Sequence, residues 1–229
     1  AYEISLGLVG SEMCIRDRLD LAQNQLRILH PLGDEVALVQ LFLDNNQLEE
    51  IPADENGIFC NIADMTDLSA SYNKLRKFPN IFKDAKSAIT NIDFSYNQIA
   101  DFTEEETAAF HGVFVETLTL TGNTGITKFP KWLGDSDSQV AYIILRGCGI
   151  SEMPEGCFDG KYSNQFVSFD LTYNRLSEFP DDFDALQLPN LYGLDISQNA
   201  FSKFPTGPLT CKGLTVFGIR GQRDANGER

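Results

Sequence analysis

The sequence predicts an α/β solenoid in which short parallel β-strands line a concave face and helices or irregular turns form the outer side. Three observations predict this fold class. A short segment recurs eight times along the 229 residues, its asparagine position returns every 22 to 27 residues, and an alternation of the type leucine-x-leucine marks each copy. Such a period indicates stacked units, each too small to bury its apolar face alone.

The recurring segments define the order of the repeats. The alternation has the period of a strand with one buried face, so each copy is expected to contribute one short strand. The asparagine lies where the chain leaves the strand, and its amide can satisfy unpaired backbone groups there. In the sixth copy Cys148 occupies this position. The copies read LDLAQNQL from Leu19, LFLDNNQL from Leu41, LSASYNKL from Leu68, IDFSYNQI from Ile92, LTLTGNTGI from Leu118, IILRGCGI from Ile143, FDLTYNRL from Phe169, LDISQNAF from Leu194 and a degenerate LTVFGIRGQ from Leu214.

The segments between the strands are expected to cross the outer side. Proline follows an apolar residue in several of them and ends ladder pairing, which directs the chain away from the sheet. The clearest helical signal is TEEETAAF over 103–110, where Thr103 can cap the helix and Glu106 can complete a capping box.

The copies resemble the leucine-rich repeat family, whose pattern is L-x-x-L-x-L-x-x-N/C-x-L, and the resemblance covers residues 19–222. The apolar residue before proline, as at Phe78, Phe129 and Phe179, is similar to the longer-repeat bacterial type. The resemblance implies a right-handed β/α horseshoe with a parallel β-sheet on the concave face. The tail GQRDANGER and the phenylalanine- and proline-rich repeats also resemble leucine-rich repeat proteins of Bacteroidetes-type bacteria, which implies an extracytoplasmic or cell-surface location.

Both ends of the chain depart from the pattern. Residues 1–18 contain no repeat, and the string SLGLVGSEMCIRDR resembles the translation of sequencing-adaptor DNA. We therefore expect residues 1–18 to be a non-native segment; the alternative is a divergent N-terminal cap. Residues 19–229 are expected to form one leucine-rich repeat domain of about nine repeats, truncated at the C-terminus because no polar capping unit follows the last copy.

Composition and motifs exclude several classes of function. The net charge of −15 repels nucleic acid and anionic lipid. No run of 18 apolar residues occurs, so direct membrane insertion is not expected. The two histidines, His30 and His111, are far apart in the stack, and the chain has no Cys-x-x-Cys, His-Glu-x-x-His or Gly-x-Ser-x-Gly motif. We expect no enzymatic activity, no metal site and no cofactor.

Residues that flank the core leucines are expected to point onto the concave face. Tyrosine is abundant among them, and its rigid ring with a polar tip is typical of binding surfaces. Phe42, Ile144 and Arg146 are less expected at their positions in the repeat, so they are stronger indications of a binding site. The alternative is that tyrosine, aspartate and serine here are common decoration of the repeat. The candidate ligand-binding residues are Phe42, Tyr72, Tyr96, Tyr142, Ile144, Arg146, Tyr173 and Tyr192.

The sequence thus predicts a non-catalytic recognition module that binds a protein or a glycan on its concave face. Two alternatives remain open. The repeats could recruit substrate for a larger enzyme whose catalytic domain is missing from this chain, or they could form a structural spacer in a surface protein. A catalytic domain in the intact reading frame would favour the first alternative, and tolerance of substitutions on the concave face would favour the second.

Overall fold

The computed structural model describes residues 18–30, 38–51, 65–79, 89–103, 114–131, 133, 139–158, 165–181, 183 and 188–223. Within these ranges nine strands form one parallel sheet, and each strand pairs with the next along the chain. This arrangement confirms the predicted solenoid. The strands are β1 (Arg18–Asp20), β2 (Gln40–Phe42), β3 (Asp67–Ser69), β4 (Ile89–Asp93), β5 (Phe114–Thr119), β6 (Gln139–Ile144), β7 (Ser168–Asp170), β8 (Gly193–Asp195) and β9 (Val216–Gly218).

The strand register aligns the core positions predicted from the repeats. Leu41 pairs with Leu68, and the same position continues from strand to strand across the sheet. In β2, β3 and β7 the middle residue is buried between two half-buried neighbours, as expected when one face of a strand packs on the core. In the degenerate ninth copy Phe217 takes the core position and pairs with Leu194, which puts Gln222 in register with Asn199.

The core behind the sheet is one continuous apolar cluster that runs through the stack. Phenylalanine dominates its later part, where Phe158 lies at the centre of four other rings. The ring centroid of Phe158 is 5.2 Å from that of Phe129, 5.9 Å from Phe166, 5.5 Å from Phe169 and 5.7 Å from Phe183. Aromatic pairs at these separations contribute beyond the apolar area that they bury, so this cluster ties together units distant in sequence.

A ladder of asparagine side chains closes the turn after each strand. Asn73 is representative: its Nδ2 donates to the carbonyls of Leu43 at 2.9 Å and Ala70 at 3.1 Å, and its Oδ1 accepts from the Leu48 N–H at 3.0 Å. Each amide therefore satisfies backbone groups of its own repeat and of the preceding one, as predicted. The same pattern recurs at Asn46, Asn97, Asn123, Asn174, Asn199 and Gln222.

Cys148 interrupts this ladder, and the fifth repeat compensates. The Cys148 thiol donates to the Leu120 carbonyl at 3.2 Å, as an asparagine amide would. A thiol offers no side-chain oxygen, however, and the Ile126 N–H donates instead to the Asn123 carbonyl within its own repeat, at 3.0 Å. Two residues separate Asn123 from Ile126, whereas the corresponding gap in the other repeats holds one. The longer turn of the fifth repeat therefore supplies the acceptor that the cysteine lacks.

Burial of this thiol predicts a stability that falls at alkaline pH. Desolvation raises the pKa of Cys148 from the ordinary 9.0 to about 12, against weaker backbone hydrogen bonds that lower it. Because the unfolded chain then loses this proton first, the contribution of Cys148 is complete below pH 9 and disappears as the pH rises toward 12. At pH 11 we expect a loss of about 2–3 kcal/mol.

Urea denaturation at pH 8 and pH 11 measures this loss as a difference between the wild type and Cys148→Ser. The serine hydroxyl can still donate to Leu120 but does not ionise in this range, so the variant should lack the Cys148 part of the pH dependence. An identical pH dependence in both proteins would show that the thiol does not titrate as burial requires.

The outer side is described only in part. A 3-10 helix spans Gly207–Thr210 and has proline in its first turn. Of the predicted helix over 103–110, Thr103 alone lies within the described residues, and the expected non-native segment lies outside them except for residue 18. Among helices in the described ranges, none has the length and apolar character needed to cross a membrane.

Candidate functional site

The residue that precedes each ladder asparagine, or the Cys148 or Gln222 in its place, has an unusual backbone conformation. We call these nine positions the turn row: Gln23, Asn45, Tyr72, Tyr96, Gly122, Gly147, Tyr173, Gln198 and Gly221. All nine have φ between 53° and 76°, in the left-handed region, although six of them carry side chains. That region costs an L-residue about 1–2 kcal/mol relative to its ordinary conformations. Hydrogen bonds between repeats hold the turn, such as Tyr72 N–H to the Ser95 carbonyl at 2.9 Å.

Two tyrosines of the turn row stack on each other. The ring centroids of Tyr72 and Tyr96 are 4.4 Å apart and their planes differ by 17°. Desolvation of the Tyr72 phenol, together with its neighbours Tyr96 and Asp93, raises the pKa of Tyr72 above its ordinary value, so the phenol is neutral at pH 7. About half of each side chain stays exposed, 52% for Tyr72 and 47% for Tyr96. The pair is therefore a preformed aromatic surface that faces solvent.

Two arginines lie over aromatic rings of the same sheet face. The guanidinium carbon of Arg146 is 4.5 Å from the ring centroid of Tyr173, and that of Arg18 is 4.4 Å from the ring centroid of Phe42. Both distances fall within the range of cation–π attraction. These contacts hold flexible arginine side chains in defined positions on the concave face.

Aspartates on the concave face support the turns. Oδ1 of Asp93, Asp170 and Asp195 each accepts the backbone N–H two residues later, at 2.8, 2.9 and 2.9 Å. Asp44 Oδ1 accepts the N–H of Ser71 in the next repeat at 2.8 Å. Burial of Asp67 raises its pKa, but hydrogen bonds from Asn91, Gln40 and Thr66 outweigh that effect and lower it. These carboxylates therefore have a structural task.

The other predicted site residues are more dispersed. Phe42 and Ile144 end β2 and β6 and are half-buried, whereas Tyr142 lies within β6 and is 38% exposed. Tyr192 immediately precedes β8, outside the strand, and is 55% exposed. The structure thus brings Tyr72 next to Tyr96 and Arg146 next to Tyr173, and it leaves Tyr192 apart from these pairs.

Sequence reasoning overlooked the two glycines that interrupt the tyrosines of the turn row. Gly122 and Gly147 are adjacent in the row, between Tyr96 and Tyr173. A β-carbon on Gly122 would lie 2.6 Å from Cδ1 of Tyr96, so the Tyr96 ring occupies the space above this glycine. The aligned repeats already contain the two glycines at tyrosine positions, which is the signal that could have revealed them.

No cluster of three or more histidine, cysteine, aspartate or glutamate side chains that could hold a metal ion occurs in the described part of the chain. His30 is exposed, and His111 lies outside the described residues. The arrangement on the concave face therefore offers contact chemistry: aromatic rings, guanidinium groups, hydroxyl groups and carboxylates.

Comparisons with known proteins identify similar chains. A leucine-rich repeat protein from Bacteroides eggerthii DSM 20697 is 38% identical with a TM-score of 0.77 over 91% of this chain. One from Bacteroides thetaiotaomicron VPI-5482 is 35% identical with a TM-score of 0.76 over 92%. The human leucine-rich repeats and immunoglobulin-like domains protein 3 is 27% identical over 205 residues, or 88% of this chain. The chain spans 35%, 26% and 17% of these three proteins, respectively. No family model matches it.

Proposed function

This chain is a leucine-rich repeat protein, and from that premise we propose that it is a non-catalytic recognition module that binds a protein or a glycan on its concave face. The observation that carries the proposal is the exposed tyrosine set of the turn row, Tyr72, Tyr96 and Tyr173. The similar proteins are several times longer than this chain. The function is therefore proposed for the repeats alone.

The conformation of these tyrosines supports a role outside folding. Glycine adopts a left-handed φ without a steric penalty, and Gly122, Gly147 and Gly221 show that the turn row accepts it. Tyrosine is less stable there, and its ring remains about half exposed instead of entering the core. These tyrosines raise the conformational energy of the backbone and expose large rings to solvent. Contacts with a ligand explain both features best.

The charge of the face favours a partner with basic groups. Carboxylates of the strands and of the turns that follow them outnumber arginines, seven against three: Asp20, Asp44, Asp67, Asp93, Glu116, Asp170 and Asp195 against Arg18, Arg146 and Arg220. A polyanion such as nucleic acid would meet this field unfavourably. A basic protein surface or an uncharged sugar would not.

Replacing Tyr72, Tyr96 and Tyr173 together by alanine is expected to weaken ligand binding by at least about 100-fold, because each buried tyrosine contact is typically a hot spot. The wild type would first be screened against a glycan array and a panel of extracellular proteins, with single-stranded RNA included. Affinity for each ligand found would then be compared between the wild type and the triple variant by calorimetry.

Tyr192→Ala is the matched control, because Tyr192 is equally exposed but lies outside the turn row. Circular dichroism and urea denaturation check that the triple variant folds. Unchanged affinity in the triple variant, or an equal loss in the control, would refute a site on the turn row. Specific RNA binding would contradict the charge argument.

We further propose that the protein is bacterial and acts at the cell surface or elsewhere outside the cytoplasm. The similarity to two Bacteroides proteins supports the bacterial source. Protease treatment of intact cells, followed by immunoblotting, tests the location, since only a surface-exposed solenoid would be cleaved before the cells are lysed.

A further inference from the structure

Gly147 leaves an open position in the turn row. Apart from its chain neighbours Arg146 and Cys148, an added β-carbon on Gly147 would meet no atom within 4 Å, whereas one on Gly122 would collide with Tyr96. Its φ of 63° favours glycine, but Tyr173 with 59° and Asn45 with 55° show that the turn row also holds side chains in this conformation. The space above Gly147 is thus left open by the neighbouring repeats, although a tyrosine could occupy this position as it does in three other repeats.

This open space lies in line with the aromatic stack. Tyr72 stacks on Tyr96, and Tyr96 in turn covers Gly122. Gly147 is the next position along the row, and Tyr173 follows it in the next repeat. The guanidinium group of Arg146 lies over the ring of Tyr173. Tyr96 and Tyr173 belong to β4 and β7 repeats, three strand spacings or roughly 14 Å apart. We call the space above Gly147, between Tyr96 and Arg146, the Gly147 slot.

We propose that the Gly147 slot binds an aromatic side chain from a basic segment of a protein ligand. This inference rests on the proposed recognition function and specifies its ligand. A flat ring in the slot extends the stack, with the Tyr96 ring on one side and the Arg146 guanidinium on the other. Ring stacking and cation–π attraction both stabilise that arrangement.

The charges around the slot determine which planar group of a ligand binds there. Arg146 repels a ligand guanidinium that would otherwise stack on Tyr96, so an uncharged aromatic ring fits best. The carboxylates of Asp93 and Asp170 belong to the repeats of Tyr96 and Tyr173, the tyrosines on either side of the slot, and each uses its Oδ1 for a turn N–H. A lysine or arginine next to the aromatic residue of the ligand is complementary in charge to these carboxylates. The phosphate groups of a nucleotide are not, because they are negatively charged.

The test uses two synthetic peptides, one with a central 5-fluorotryptophan flanked by lysines and one with leucine in place of the tryptophan. Fluorine NMR of the first peptide and competition by the second measure both affinities for the full chain. We expect the tryptophan peptide to bind about tenfold more tightly, the gain from one stacked and one cation–π contact.

Gly147→Tyr is the decisive variant, because it places a fourth tyrosine in a conformation that Tyr72, Tyr96 and Tyr173 already adopt. Its ring should fill the slot and remove the preference for tryptophan while the fold is retained. Asn45→Tyr adds the same side chain to the same row outside the slot, and it should leave the preference unchanged. Arg146→Ala should reduce the preference about threefold to tenfold through loss of the cation–π contact.

Three results would overturn the slot. These are equal binding of the two peptides, no binding of the tryptophan peptide, and a preference that survives Gly147→Tyr. None of them touches the proposed function, which is tested by the Tyr72, Tyr96 and Tyr173 variant with glycan and protein ligands. If that variant keeps full affinity while Gly147→Tyr abolishes the tryptophan preference, the slot stands and the wider tyrosine site fails.

Discussion

Replacing Asn174 by alanine is expected to lower the free energy of unfolding by about 3–5 kcal/mol. The Asn174 amide donates to the carbonyls of Leu145 at 2.7 Å and Leu171 at 2.9 Å. Its Oδ1 accepts from three successive backbone N–H groups, those of Cys148, Gly149 and Ile150, at 3.1, 2.9 and 3.0 Å.

The size of the effect follows from burial. Asn174 is 7% exposed, so its partners lie where water cannot readily replace the lost amide. Each backbone group left unsatisfied in such a place costs about 1–3 kcal/mol, and relaxation of the turn recovers part of the sum. The sixth repeat depends on Asn174 more than other repeats depend on their ladder asparagine, because three of its N–H groups donate to the Asn174 oxygen, whereas one does at Asn73.

Asn24→Ala is the matched control for Asn174→Ala. Asn24 occupies the same motif position in the first copy, but it is exposed and bonds only to the nearby carbonyls of Leu21 and Ala22, at 3.0 and 3.2 Å. Its loss should cost less than about 1 kcal/mol. Urea denaturation compares the two variants, and equal losses would mean that the buried ladder does not set the stability of the turn.

The second large effect is expected at Phe129, where alanine should lower the free energy of unfolding by about 3–5 kcal/mol. The Phe129 side chain is 1% exposed, and its ring centroid lies 5.2 Å from that of Phe158 and 6.0 Å from that of Phe169. Truncation would leave a cavity within the phenylalanine cluster, whose other rings are anchored in separate repeats and can collapse only in part.

Phe204 provides the control for Phe129, because both residues directly precede a proline in equivalent parts of their repeats. Phe204 is 56% exposed, and Phe204→Ala should cost less than about 1 kcal/mol. Thermal and urea denaturation of both variants measure the contrast. If Phe204→Ala proved as costly as Phe129→Ala, the role of the cluster in stability would be refuted.

Much of the fold could be predicted because it depends on short-range pattern repeated many times. The alternation in each copy marks which residues face the core, and the fixed interval aligns copies such as Leu41 and Leu68 across the sheet. The ladder role of asparagine, and its replacement by Cys148, follow from the hydrogen bonds that each side chain can form. Even in the degenerate ninth copy the interval places Gln222 at the asparagine position, and its side chain takes the ladder role there.

The candidate site could be predicted only as a set of positions. Alternation places Tyr72, Tyr96 and Tyr173 on one face, but it does not say which way a ring leans or which neighbour it contacts. Those contacts join residues about 25 positions apart, where torsion angles and the bulk of the adjacent repeat decide the outcome. Tyr192 shows the limit: it precedes its strand, whereas Tyr72, Tyr96 and Tyr173 follow theirs.

The sequence by itself therefore determined the repeat, the sheet, the core positions and the ladder, because each depends on the residue type at a regular interval. Only the tertiary structure decided the left-handed turn row, the Tyr72–Tyr96 stack, the Arg146–Tyr173 contact and the open space above Gly147. The physical reason is that stacking brings each turn against the next one. A ring then settles on whichever neighbour leaves room for it, and Gly122 leaves that room for Tyr96.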